Sequence, residues 1–313
     1  MTDRETSMKE LKSRLLSLRI PAERILTDEP MSRHTSFRVG GPADLFVTVE
    51  SEAELAAALQ LLTAESVPHL LVGNGSNLLV ADAGYRGVVL RLGGEFCTLT
   101  IGEDGVIRAG SAMLLSRVSA AVAEQGLAGM EFASGIPGSI GGAVFMNAGA
   151  YGGEMKDILL RARLLSPDGA KAEVCEAPDL ALSYRYSRLQ EDGRIVLQAE
   201  LQLTPGDPEE IQARIRELTE KRNAKQPVNF PSAGSTFKRP EVGYAAAMIE
   251  QAGLKGVSVG GAEVSEKHSG FIINRGGATA DDVLALMRIV RARVYEQFGT
   301  MLEPEVRIIG TEL

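Results

Sequence analysis

The chain has 313 residues, a net charge of −8 and 44% hydrophobic content, the composition of a globular protein long enough for two or three domains. An acidic chain with no tryptophan excludes a broad phosphate-backbone surface or an aromatic platform for single-stranded nucleic acid. Two isolated cysteines, Cys97 and Cys175, exclude a disulfide framework or zinc ribbon and fit a reducing cytoplasm.

Met8, Leu11, Leu15 and Leu18 recur at helical spacing and predict an amphipathic helix over 4–19, ended by Pro21. No apolar h-region accompanies it, so no secretory leader is expected. His34–Val39 reads as a loop entering a strand, and 44–49 alternates as a strand. Ser51 and Glu54 form a capping box for a helix over 52–65 with Leu55, Leu59 and Leu62 on one face. Strands follow at 70–72, 78–80 and 87–92, the first two joined by the turn 73–77. A hairpin at 96–110 and a helix at 112–125, closed by Gly126, come next. Strands are predicted at 159–165, 170–175 and 194–203, with the turn Ser166-Pro167-Asp168-Gly169 between the first two. Asp207 and Pro208 open a helix that ends in the basic run 221–225. Pro227 and Pro231 mark a linker. The last part has a helix near 244–252, a strand at 270–274, a helix over 280–298 capped by Thr279, and a strand at 305–309.

Five segments carry candidate chemistry. The turn Gly73-Asn74-Gly75-Ser76-Asn77 can bring backbone N–H groups close to a phosphate. It lacks the third glycine and the following helix of a dinucleotide fingerprint, and it lacks a P-loop lysine. A tight strand-to-strand turn accounts for it equally well. Between Glu131 and Glu154 lies an uncharged stretch with seven glycines, Pro137 and Asn147. This is not a membrane span. Its glycines suit close approach of a large planar or phosphorylated ligand, and Pro137-Gly138-Ser139 suggests a helix start facing pyrophosphate. A tightly packed helix contact is the alternative. Arg185, in Ser183-Tyr184-Arg185, can hold a carboxylate, or can be a surface arginine. Ser235, in Ala233-Gly234-Ser235-Thr236-Phe237-Lys238, lacks a catalytic-triad context. It suits a proton donor, or a plain glycine–serine turn. Glu305 opens the last strand, either as an unusual buried acid or as a solvated edge residue.

Together these segments resemble one family, the UDP-N-acetylenolpyruvoylglucosamine reductases. The resemblance covers about residues 20–310. It rests on His34-Thr-Ser-Phe-Arg-Val-Gly-Gly41, the Gly73 turn, Gly135–Gly153, Ser183-Tyr-Arg185, Ala233–Lys238 and Glu303-Pro-Glu-Val-Arg307. It implies an α+β fold: a two-subdomain vanillyl-alcohol-oxidase-like FAD-binding domain plus a C-terminal α+β substrate-binding domain. The implied divisions are an N-terminal helical extension (1–20), FAD subdomains at 21–92 and 93–225, and a substrate domain at 226–313. Non-covalent FAD and NADPH as reductant follow from the resemblance, with an enolpyruvyl sugar nucleotide as substrate, no nucleic-acid partner and no membrane insertion.

Carried over residue by residue, the resemblance makes Arg185, Ser235 and Glu305 catalytic. It assigns cofactor contacts to Gly73, Asn74, Gly75, Ser76, Asn77, Gly135, Pro137, Gly138, Ser139, Gly142, Asn147 and Gly149. Lys225 and Lys238 are candidates for the substrate's phosphates. Some members insert a loop with a substrate-capping tyrosine between the serine and the glutamate. Only 69 residues separate Ser235 from Glu305 here, with Tyr244 and Tyr295 both in predicted helices. The chain therefore resembles the shorter, second type. A flavin oxidase of the same fold and a non-catalytic nucleotide-binding regulator are the rival readings.

Overall fold

The structure, a computed structural model, describes residues 3–313, with side chains from Thr6 onward. Met1 and Thr2 of the expected N-terminal extension lie outside the described residues. The chain forms two compact units. One runs to Thr27 and adds Asp44–Asn74 and Gly87–Glu220; the other is Asp28–Ala43, Gly75–Arg86 and Lys221–Leu313.

The first unit holds two hydrophobic cores. In one, Leu11 and Leu15 of the helix Asp3–Ser17 pack with Leu55, Leu59 and Leu62 of the helix Glu52–Ala64, over Val47, Val49, Val88 and Leu90. The N-terminal helix ends two residues before the expected Arg19, because Arg19 turns left-handed (φ +67°). Ser51 Oγ accepts the Glu54 N–H at 3.2 Å, which is half of the expected capping box, while the Glu54 carboxylate accepts the Glu50 N–H at 2.8 Å. The Glu54 carboxylate holds the Arg24 guanidinium bidentately at 2.9 and 2.8 Å. The associated sheet has strand order Ile25–Pro30, Pro42–Val49, Tyr85–Leu92, His69–Val72. Residues 43–47 are buried in succession, so this inner strand is covered on both faces and does not alternate. The strand Ile25–Pro30 has no sequence signal; among its residues only Ile25 and Glu29 are buried.

The other core of this unit is a five-stranded sheet ordered Ala172–Glu176, Leu159–Leu165, Ile195–Gln202, Val106–Gly110, Leu99–Ile101. Its neighbours pair antiparallel, as hairpins permit. Val118 and Val122 of the helix Leu115–Glu124 and Ile140 and Val144 of the helix Ile140–Met146 pack on it. The helix expected from Ala112 starts three residues later. Ala112 N–H bonds to Phe96 O at 3.0 Å, and Leu114 bridges Ser139, so the backbone before Leu115 is already extended and paired.

The second unit is built around the helix Ala280–Phe298. Val283, Leu286, Met287, Val290 and Val294 face the antiparallel sheet Ser258–Val259, Ala262–Val264, Ile272–Asn274 and the helix Ala245–Gln251. Thr279 and Asp282 bond reciprocally to each other's N–H, both at 3.0 Å, and Gly299 (φ +68°) closes the far end. The carboxylate of Asp82 also accepts the N–H groups of Ala280 and Asp281 at 2.9 and 2.8 Å. The strand Leu78–Val80 pairs in parallel with Arg307–Ile309. The strands on either side of the 73–77 turn therefore belong to different sheets, and that turn is not a hairpin.

Candidate active site

The first unit carries Gly73 and Asn74 of the glycine turn and the whole of the 135–153 segment. Gly73 lies against Ser139: a Cβ at Gly73 would stand 2.5 Å from Ser139 Oγ. Asn74 Nδ2 donates to Pro137 O at 2.6 Å, so the two segments are fastened together. The helix that follows has seven residues, Ile140–Met146. It is too short for a strong dipole, so an anion here depends on individual N–H groups.

Not every glycine of this stretch faces open space. A Cβ at Gly149 would meet Gly153 O at 2.7 Å, and one at Gly153 would meet the Phe132 ring at 2.7 Å. Packing alone explains these two, including Gly149 of the expected cofactor contacts. Gly142 differs. It is exposed in the first helical turn, and a Cβ there would touch only Ser139 Oγ, at 3.6 Å. A glycine costs a helix about 1 kcal/mol relative to alanine, and the protein's own packing does not require one here. Nearby, Ser111 accepts the Gly141 N–H at its carbonyl, at 2.8 Å, while its buried Oγ has no hydrogen-bond partner among the described residues. An open cradle over Gly142 and a buried unpartnered hydroxyl fit a ligand lying against this backbone.

Asn147, expected among the cofactor contacts through its backbone, is wholly buried, and protein groups take up its side-chain amide. Its Nδ2 donates to Glu154 Oε2 at 2.7 Å and to Ser183 O at 2.9 Å; its Oδ1 accepts the Lys156 N–H at 2.9 Å. The side chain braces the site and does not present its amide to a ligand.

Arg185 sits at the tip of a two-residue hairpin. Ser183 and Tyr186 exchange N–H···O bonds, both 3.1 Å, and leave Tyr184 and Arg185 at the turn. Arg185 has φ +54°, a conformation that costs a side-chain-bearing residue free energy and persists where surroundings impose it. One guanidinium nitrogen lies 3.4 Å from Gly149 O, and its carbon lies 5.1 Å from the Tyr184 ring centroid. Gln190 donates to Arg185 O at 3.1 Å and Phe145 O at 3.0 Å, while Ser187 Oγ donates to Phe145 O at 2.6 Å. No sequence motif singles out Gln190.

In the second unit, the loop bearing Ser235 is tied down on several sides. Thr236 N–H bonds to Gly270 O at 2.9 Å, and Thr236 Oγ1 accepts the Ile272 N–H at 3.1 Å. The Glu305 N–H donates to Thr236 O at 2.8 Å, and Phe237 bridges Pro304. Ser235 and Glu305, 70 positions apart in sequence, thus lie on paired segments, both half-buried. Asn77 Nδ2 donates to Glu305 O at 3.0 Å. The Asn77 side chain is thus engaged by the protein, and the cofactor contact expected of its backbone does not depend on it. Gly75 (φ +64°) packs so tightly on the His34 carbonyl that a Cβ would collide with it. Its glycine is required by the protein itself.

Two residues with no sequence-level role support this loop. Ser36 Oγ donates to Ser232 O at 2.6 Å, and Asn274 Nδ2 donates to Phe37 O at 3.2 Å. These bonds give the 34–41 motif a structural purpose. Lys238 pairs loosely with the exposed Glu303, 3.5 Å away. Lys225 is the last residue of the helix Pro208–Lys225, and Lys267 Nζ donates to Asn223 O in the same turn at 2.5 Å. Burial holds His268 below the ordinary histidine range, and the charges of Lys255 and Lys225 act in the same direction.

Residues 43–174 match an FAD binding domain, and residues 226–309 match the C-terminal domain of UDP-N-acetylenolpyruvoylglucosamine reductase. Together they define an FAD-dependent oxidoreductase with a separate C-terminal domain. Proteins named UDP-N-acetylenolpyruvoylglucosamine reductase from Alkaliphilus oremlandii and Lachnoclostridium phytofermentans are 49% and 50% identical to the chain. Each alignment covers 94% of this chain and 96% of the relative. The crystal structure of the Thermus caldophilus reductase superposes with a TM-score of 0.78 at 38% identity, covering 91% of this chain and 98% of that one. The chain belongs to the UDP-N-acetylenolpyruvoylglucosamine reductase family.

Proposed function

We propose that the chain reduces the enolpyruvyl ether of UDP-N-acetylenolpyruvoylglucosamine to UDP-N-acetylmuramate in the cytoplasm, for peptidoglycan synthesis, with Arg185, Ser235 and Glu305 as its catalytic residues. When bound, FAD supplies the hydride, drawn from NADPH, that adds to the terminal methylene carbon of the ether. Negative charge then develops on C2 and its carboxylate. Arg185 meets that charge with fixed donors on a rigid hairpin tip. Ser235 delivers its hydroxyl proton to C2 as general acid. A serine hydroxyl is a weak acid, and a carbanion-like C2 is basic enough to take its proton. Glu305, when protonated, adds a hydrogen bond to the same centre.

The exposed backbone of Gly73 and Gly142, with Asn74, Gly135, Pro137, Gly138 and Ser139, holds the FAD. Gly75 and Ser76 complete the turn. Residues 21–92 and 93–225 act as the two FAD subdomains and 226–313 as the substrate domain, with Lys225 and Lys238 toward the UDP phosphates. The observation that most supports this reading is the pairing of Glu305 with Thr236, which sets the acid's segment beside Ser235. The test is anaerobic: NADPH should bleach the bound flavin, and the enolpyruvyl nucleotide should restore its colour. A flavin that NADPH bleaches and this substrate leaves bleached would contradict the proposal.

A further inference from the structure

We propose that Asn147 is a positioning residue for Arg185: it locks the arginine's hairpin to the glycine-rich segment and acts on the reaction only through that arginine. The inference rests on the catalytic role proposed for Arg185. Asn147 ends the helix Ile140–Met146 in the left-handed region (φ 43°, ψ 57°), where asparagine is among the few side-chain-bearing residues tolerated. This turns the amide away from the helix and into the protein. Three partners then take up its amide, from two different stretches of chain: Ser183 O on one, Glu154 Oε2 and the Lys156 N–H on the other.

The bond to Ser183 O has the most direct consequence. Ser183 is the first residue of the hairpin, and its N–H and C=O groups define the turn that carries Arg185. Arg185 is held at φ +54°, which a free two-residue loop would relax. Gln190 fixes the arginine's own carbonyl, so the tip is gripped at both ends. Glu154 is itself fixed, through an ion pair with Lys156. Gly149, whose carbonyl the guanidinium approaches, lies two residues after Asn147. One buried amide therefore joins the glycine-rich segment to the hairpin that presents the cation. A donor displaced by about 1 Å loses on the order of 10²-fold in rate.

The substitution Asn147→Asp is nearly isosteric, tolerates the left-handed backbone and keeps an acceptor for Lys156. It replaces the donor to Ser183 O with a carboxylate oxygen that repels both that carbonyl and Glu154. Asn147→Gly, which removes the amide and keeps the backbone, guards against an effect of charge alone. Both holoenzymes are compared with the parent, Arg185→Ala and each double variant. The readings are flavin content, flavin reduction by NADPH, and single-turnover flavin reoxidation by the enolpyruvyl nucleotide.

The expected result is parental flavin content and NADPH reduction, with reoxidation slowed about 10²-fold in Asn147→Asp and less in Asn147→Gly. In the Arg185→Ala background either change should slow reoxidation by less than about 2-fold, since the group it positions is already gone. Parental reoxidation in Arg185→Ala would overturn the arginine's role and this inference with it. A slow Arg185→Ala combined with parental Asn147 variants would overturn the inference alone. So would losses that multiply in the double variants, or that appear equally in NADPH reduction.

Discussion

The backbone N–H of Glu305 donates to the carbonyl of Thr236 at 2.8 Å, so the acid is fastened to the residue beside Ser235. Neighbouring bonds reinforce the register, with Lys238 N–H on Glu303 O at 2.8 Å and the Asn77 amide on Glu305 O at 3.0 Å. This backbone ladder sets the position of the Glu305 segment without using its side chain. It also makes the second unit tolerant of changes at the Glu305 carboxylate, because the backbone bonds do not depend on it.

Glu305→Gln should therefore fold, bind FAD and accept electrons from NADPH as the parent does. Only flavin reoxidation by the enolpyruvyl nucleotide should slow, by about 10-fold or more, since a fixed donor to the developing charge is altered. Stopped-flow traces of the two half-reactions separate these effects. Equal rates in both would make Glu305 a solvated edge residue.

Two glycines give opposite expectations. At Gly142 a methyl meets only Ser139 Oγ, at 3.6 Å, so Gly142→Ala should fold and gain up to about 1 kcal/mol in helix stability. It should nonetheless weaken FAD retention, because the methyl fills the open cradle. At Gly75 the Cβ would collide with the His34 carbonyl on a left-handed backbone, so Gly75→Ala should lower stability outright. Flavin absorbance per chain and urea midpoints of the two variants test the contrast. Full flavin retention in Gly142→Ala would remove that glycine from the cofactor site.

Arg185→Ala should slow reoxidation by about 10²–10³-fold and leave NADPH reduction nearly intact, as expected for a lost charge-stabilising donor. Arg185→Lys should recover little, since an ammonium cannot reproduce the fork of donors. An equal fall in both half-reactions would place the arginine's effect on the flavin.

His268 sets a pH dependence of stability. Its folded pKa lies below the ordinary value of about 6.5, so the unfolded chain takes the proton first. The contribution is complete above about pH 6.5 and is lost as the pH falls below it. Urea midpoints of the parent and of His268→Gln, taken between about pH 7 and pH 5, should differ in slope, with the variant flatter. Parallel profiles would show that the histidine charges as readily folded as unfolded.

Much of the fold was legible because local signals agreed with each other. Thr279, Asp282 and Gly299 bracket the helix Ala280–Phe298, and Asp207 with Pro208 opens Pro208–Lys225, with Asp207 Oδ1 accepting the Glu209 N–H at 2.8 Å. The strand Ile25–Pro30 escaped because its edge position leaves Leu26, Thr27 and Asp28 exposed in succession, which breaks any alternation. The Arg185 hairpin escaped because Ser183-Tyr184-Arg185-Tyr186 has none of the glycine or asparagine that announces a two-residue turn. Tertiary bonds from Asn147 and Gln190 hold it instead. Glycine content was legible, but its causes were not. Gly149 and Gly153 serve packing and Gly142 faces open space, a difference that only coordinates reveal.

The most direct test of the account is single-turnover reoxidation of pre-reduced enzyme by the enolpyruvyl nucleotide in the parent, Ser235→Ala and Ser235→Cys. Ser235 lies beside Gly234 (φ +76°), where a Cβ would meet nothing within 4 Å, so losing one hydroxyl leaves little cavity and the fold should persist. Ser235→Ala should keep flavin and NADPH oxidation but slow reoxidation by about 10²–10⁴-fold, the usual worth of general acid catalysis. Ser235→Cys should recover part of the rate through its thiol proton. Reoxidation of Ser235→Ala at the parental rate would contradict the account and reduce Ser235 to a turn residue.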